Sequence, residues 1–109
     1  MGMLRGRPWG PDDLTGGPAD EVFARVRAAV PGVVVERLQV MHPGDDDNVY
    51  FLGDGHGLDR VQVDTCPGGR PPFLIEAEAR FETSDVAGAA AVVASWLGSG
   101  SVGAGDDPA

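Results

Sequence analysis

Residues Asp59 to Phe81, DRVQVDTCPGGRPPFLIEAEARF, alternate apolar and polar side chains on both sides of a proline–glycine cluster. Alternation with a period of two marks a strand that buries one face. Arg60 to Asp64 therefore reads as one strand, with Val61 and Val63 inward and Arg60, Gln62 and Asp64 outward. Phe73 to Phe81 reads as another: Phe73, Ile75, Ala77, Ala79 and Phe81 share one face, and Glu76, Glu78 and Arg80 share the other. Between them, Pro67 to Pro72 (PGGRPP) supplies two glycines for a sharp reversal and two prolines that stiffen the next strand's entry as polyproline II. Arg70 projects from that tip. The stretch sets up a hairpin with one aliphatic and one charged face.

Working outward, the spacing predicts a helix from Ala19 to Val30, with Pro18 and Asp20 suited to its first turn and Val22, Phe23, Val26, Ala29 and Val30 forming its apolar stripe. Pro31-Gly32 stops it. Val33 to Val40 reads as a strand with Val34, Leu38 and Val40 on one face and Arg37 and Gln39 on the other; Glu36 is a misfit on the apolar side. Asn48 to Leu52 (NVYFL) is apolar on both faces, which suits a central strand. Thr83 or Ser84 caps a second helix, Asp85 complements its dipole, and Val86, Ala89, Ala90, Val93 and Leu97 make its stripe before Gly98 ends it. The order α-β-β-β-β-α predicts an α+β fold: a four-stranded antiparallel sheet with both helices packed on one face. The other face is left open, and Tyr50 or Leu52 is expected there among the charges.

The folded unit is expected over residues 19–97. Met1 to Pro18 reads as a flexible leader with Trp9 as its one anchor-like residue, and Gly98 to Ala109 as a disordered tail. Seventeen acidic residues against eight basic ones give a net charge of −9. All the basic residues are arginines, and the abundance of Ala, Gly, Val, Arg and Asp suits a high-GC bacterial genome. Phosphate binding needs clustered cations, so nucleic acid and anionic membranes are poor partners. A basic protein partner fits better; plain solubility is the other use of such acidity. The N-terminal residues have no apolar signal-like run, and the lone Cys66 forms no internal disulfide, so a cytoplasmic protein is expected.

Few constellations carry chemistry. Cys66 at a strand end needs a nearby cation to become a nucleophile, and His42 and His56 are the only histidines. Asp45, Asp46, Asp47, Asp54, His56 and Asp59 fail the EF-hand spacing, and one histidine with scattered carboxylates makes a poor zinc site. Glu76 and Glu78 would lie roughly 6.5–7 Å apart on one strand face. Acid–base use of that pair also needs a deep cleft, which a domain this small is unsuited to enclose. Gly53, Gly55 and Gly57 precede a strand rather than a helix, so no phosphate cradle forms. No cofactor, no metal and no enzymatic activity are expected.

From Asn48 to Leu97 (NVYFL…VQVDTCPGGRPPFLIE…TSD…SWL) the chain resembles small bacterial proteins of the immunity type. The resemblance implies a compact, acidic α+β protein that neutralises a cognate toxin by covering its active site, and it transfers no functional residue. The surface expected to bind the partner is Tyr50, Asp64, Arg70, Glu76, Glu78 and Arg80. Two alternatives stand beside it: a small-ligand or enzymatic module centred on Cys66, Asp64 and His56, and a homodimer formed through the open sheet face.

Overall fold

The computed structural model describes residues 6–42, 44–54 and 61–102. Its elements are β1 (Gly6–Pro8), α1 (Ala19–Ala29), β2 (Val34–Leu38), β3 (Val49–Gly53), β4 (Val61–Cys66), β5 (Arg70–Glu76), β6 (Arg80–Thr83) and α2 (Val86–Val102). The fold is α+β, as expected, but the antiparallel meander has six strands in sequential order rather than four. Both helices contribute to one core with Val35, Tyr50, Leu52, Val61, Val63, Phe73 and Ile75, which places them on the same sheet face.

The two additional strands lie where periodicity is silent or misleading. Gly6–Pro8 sits in the expected leader, yet it pairs with β2, and Trp9 continues the ladder by donating its N–H to the Val35 carbonyl (2.9 Å). Trp9 is 6% exposed, so it is a core residue. β6 is cut from the expected Phe73–Phe81 strand by a bend at Ala77, Glu78 and Ala79. Arg80 then folds back opposite Glu76, and Phe81 opposite Ile75.

The face assignment of β2 also differs. Val35 is buried, whereas Val34 is exposed and points to the open side with Glu36 and Leu38. Three successive valines carry no phase, so the alternation there was ambiguous by construction. Glu36 is then no misfit. Arg37 turns inward instead: its guanidinium lies 5.0 Å from the Trp9 ring centre and 5.2 Å from that of Tyr50. It also donates to the Asp47 carbonyl (3.0 Å) and carboxylate (3.2 Å), so its stem packs on aromatics while its head stays paired.

α1 is anchored from outside itself. Asp20, in its first turn, accepts hydrogen bonds from Thr15 N–H (2.7 Å), Thr15 Oγ1 (2.8 Å) and Gly16 N–H (2.9 Å). Ala19 N–H donates to the Gly69 carbonyl (2.9 Å), tying the helix start to the β4–β5 turn. In that turn Gly69 N–H donates to Cys66 O across Pro67 and Gly68, the residue order a type II turn prefers. The Pro71–Pro72 bond is cis, and the β4–β5 register slips between Asp64 and Cys66, where the two prolines have no N–H to give the ladder. Both prolines lie within β5 itself, so the strand begins at Arg70 rather than at Phe73.

Asp85 caps α2 itself: its Oδ2 accepts from Gly88 N–H (2.6 Å). Thr83 Oγ1 in turn accepts from Asp85 N–H (3.0 Å). The helix does not end at Gly98 but runs to Val102; an internal glycine costs about 1 kcal/mol, which a neighbouring core can offset. The remainder of the expected tail, 103–109, lies outside the described residues, as do residues 1–5 of the expected leader. Among the described residues no helix is long and apolar enough to cross a membrane.

Candidate binding surface

Strand pairing fixes which side chains share the open face, because directly opposed residues point the same way. One row crosses all six strands: Pro8, Glu36, Phe51, Gln62, Glu76 and Arg80. A second row crosses β3 to β6 as Val49, Asp64, Leu74 and Glu82. The open face is therefore not the simple charged lawn that alternation suggests. It carries half-buried Val49, Phe51 and Leu74 within a ring of carboxylates, with Arg80 at one end.

Asp64 lies at the centre, between Val49 on β3 and Leu74 on β5. Burial against these apolar neighbours raises its pKa above the ordinary carboxylate value; the Gln62 amide, donating to Oδ1 at 2.9 Å, pulls it down, and Glu76 pushes it up. The fold thus holds an anion where the charged form is disfavoured. Glu76, by contrast, has a partner: Arg80 Nε meets its Oε2 at 3.0 Å across the β5–β6 hairpin. With Arg80 70% exposed and Glu76 33% exposed, that pair is open to rearrangement.

Three expected site residues lie elsewhere. Tyr50 is not on the open face but fully buried beneath α1. Its ring meets Phe23 at 4.8 Å and Trp9 edge-on at 5.7 Å. NVYFL is apolar on both faces, so only pairing could decide which aromatic points outward, and Phe51 takes the place expected of Tyr50 or Leu52. Glu78 leaves the strand face for the hairpin bend, so it does not sit beside Glu76 as a strand neighbour. Arg70 is exposed at the β4–β5 turn, but its Nε donates to Pro67 O (3.0 Å) and the turn packs against Thr15–Pro18 rather than standing clear. A Cβ on Gly17 would collide with the Gly68 carbonyl oxygen, and one on Gly69 with Thr15 Oγ1.

Sequence reading missed Glu36, Phe51, Leu74 and Glu82 as members of this surface. The signal for Leu74 was present, since it alternates with the core residues Phe73 and Ile75, whereas Glu82 lies beyond a hairpin bend that the alternation does not reveal. The signal for Phe51 and Glu36 was hidden by flanking apolar residues of both phases.

The residues considered for chemistry do not converge. Asp46 accepts from Asn48 N–H and Nδ2 (2.9 Å each), Asp47 pairs with Arg37, and Asp45 lies 3.9 Å from His42, so each serves its own turn. These residues precede β3 while Asp54 follows it, which puts the two loops at opposite ends of that strand. Arg60, His56 and Asp59 lie outside the described residues. Cys66 is half-buried, and its thiol has no hydrogen-bond or ionic partner among the described residues. Among those residues no three His, Cys, Asp or Glu side chains gather as a metal site. A hollow beside α1, lined by Trp9, Asp13, Leu14, Asp20, Phe23 and Arg27, is closed across by Arg27 Nη2 donating to Trp9 O (2.6 Å).

The chain matches no protein-family model, no curated protein and no solved structure.

Proposed function

We propose that this protein is a non-enzymatic binding module that works in the cytoplasm, with the open sheet face as its contact surface and a basic protein as its partner. The observation that carries the reading is Asp64: a half-buried carboxylate, flanked by Val49 and Leu74, that the fold itself gains nothing by ionising. A partner's arginine or lysine laid over it supplies the missing counter-charge while Val49, Phe51 and Leu74 lose water. Glu36, Glu76 and Glu82 form the polar rim, and the net charge of −9 speeds encounter with a cationic surface while disfavouring nucleic acid and anionic lipid. The resemblance to immunity-type proteins narrows the partner to a basic toxin domain whose active site this face covers. Arg70 and Glu78 lie at the two ends of β5 and extend the contact beyond the central rows.

The test is calorimetric titration of the protein into whatever basic domain its neighbouring genes encode; neighbouring genes that encode none count against the reading. Asp64→Arg and Glu76→Arg are each expected to weaken binding roughly 100-fold, about 2.7 kcal/mol, by setting like charges face to face. Affinity unchanged by both substitutions rules the surface out. Binding that is lost in Cys66→Ser but kept in both charge reversals would instead favour a site around the thiol.

A further inference from the structure

Among the described residues the meander leaves two sheet edges, and they are unlike. At β1 the outer strand is three residues long and ends in Pro8, which has no N–H to offer. That edge is blunted in the way edge strands usually are. β6, Arg80–Thr83, has no proline, and every second residue of such a strand directs its N–H and C=O away from the sheet. Arg80, Phe81 and Glu82 are all exposed. Among the described residues Phe81 is one of the few large apolar side chains on the surface, at 39% exposure.

The side chains of β6 are complementary to themselves. Arg80 and Glu82 point to the open face, and Phe81, opposite Ile75, points to the helix side. Antiparallel pairing with a second β6 centred on Phe81 sets Arg80 opposite Glu82 of the other copy, and Glu82 opposite Arg80. The two Phe81 rings meet at the dyad. A register centred on any other residue of the strand loses one of these matches. Glu82 has the need for such a contact: its neighbour on β5 is Leu74, and its carboxylate has no hydrogen bond or ion pair among the described residues. α2 packs over β4, β5 and β6, and its exposed residues Ala87, Ala91 and Ser95 are small.

We infer that the protein forms a two-fold homodimer by pairing β6 with β6 of a second copy, extending the sheet from six strands to twelve. The inference is independent of the proposed partner on the open face. It differs from a dimer made face to face, because both open faces stay accessible and lie side by side.

Sedimentation equilibrium of the full chain tests it. The wild-type chain is expected to be dimeric at about 100 µM. Glu82→Arg sets arginine against arginine at both symmetry-related contacts, and Arg80→Glu sets glutamate against glutamate. Each is expected to weaken the dimer at least ~100-fold and sediment as a folded monomer, checked by circular dichroism. Mixing the two variants restores opposite charges at both contacts, because the all-arginine strand of one then faces the all-glutamate strand of the other. A heterodimer is the expected result. Because Arg80→Glu also removes the Glu76 ion pair, Glu82→Arg is the cleaner single variant. A wild-type chain that stays monomeric, a Glu82→Arg chain that dimerises as tightly as wild type, or folded variants that do not associate when mixed would each overturn it.

Discussion

Two residues carry charges or dipoles that the fold holds at its own expense. The Tyr50 hydroxyl is buried with no hydrogen-bond partner, although the ring around it packs on Phe23 and Trp9. A buried unpaired hydroxyl costs about 1–3 kcal/mol, so Tyr50→Phe is expected to be neutral or to stabilise by about 1 kcal/mol in urea unfolding. Burial also raises the Tyr50 pKa, so the stability tied to its neutral form is complete below the unfolded value and is lost as pH rises through the folded one. The alkaline loss of stability is expected to be smaller in Tyr50→Phe. Asp64 follows the same sign for a carboxylate. Its folded pKa lies above the unfolded value, so its contribution is present in acid and lost as pH rises. Asp64→Asn keeps the Gln62 hydrogen bond and is expected to raise the melting temperature at neutral pH. The gap between variant and wild type should close as the pH falls to about 3, below the ordinary carboxylate range.

At the scale of elements, the helices and the central strands were legible because their apolar residues recur at 3.6 or 2 positions. The same logic failed where local order comes from elsewhere. GRPW has no periodicity, and β1 exists because Trp9 fills the core between Arg37 and Tyr50. Ala77-Glu78-Ala79 continues the alternation of β5, so a hairpin bend is hidden inside what reads as one strand. Trp9→Ala is expected to cost about 3 kcal/mol in chemical denaturation, the loss of a buried indole rather than of a leader residue. The β4–β5 turn offers a paired test. Gly68 and Gly69 both have positive φ (+78° and +72°), but only Gly69 faces Thr15 at contact distance, while Gly68 faces open space. Gly68→Ala is expected to cost about 1 kcal/mol for the left-handed backbone, and Gly69→Ala at least about 2 kcal/mol because Thr15–Ala19 must also shift.

For the whole molecule, composition made the acidity plain, and alternation made one charged sheet face plain. What the sequence hid was the identity of the apolar residues within that face, because register across six strands decides it. Of the six residues expected to meet a partner, Asp64, Glu76 and Arg80 share the open face, Arg70 and Glu78 lie at turns, and Tyr50 belongs to the core. The central claim is that Asp64 and its apolar flanks form the contact surface. Methyl-resolved NMR reads the two sides of the sheet separately. On adding a basic domain of the proposed kind, the Val49 and Leu74 methyl signals should shift while those of the buried Val22 and Val93, on the helices, stay in place. Shifts centred on the helix side, with Val49 and Leu74 unmoved, would contradict the account.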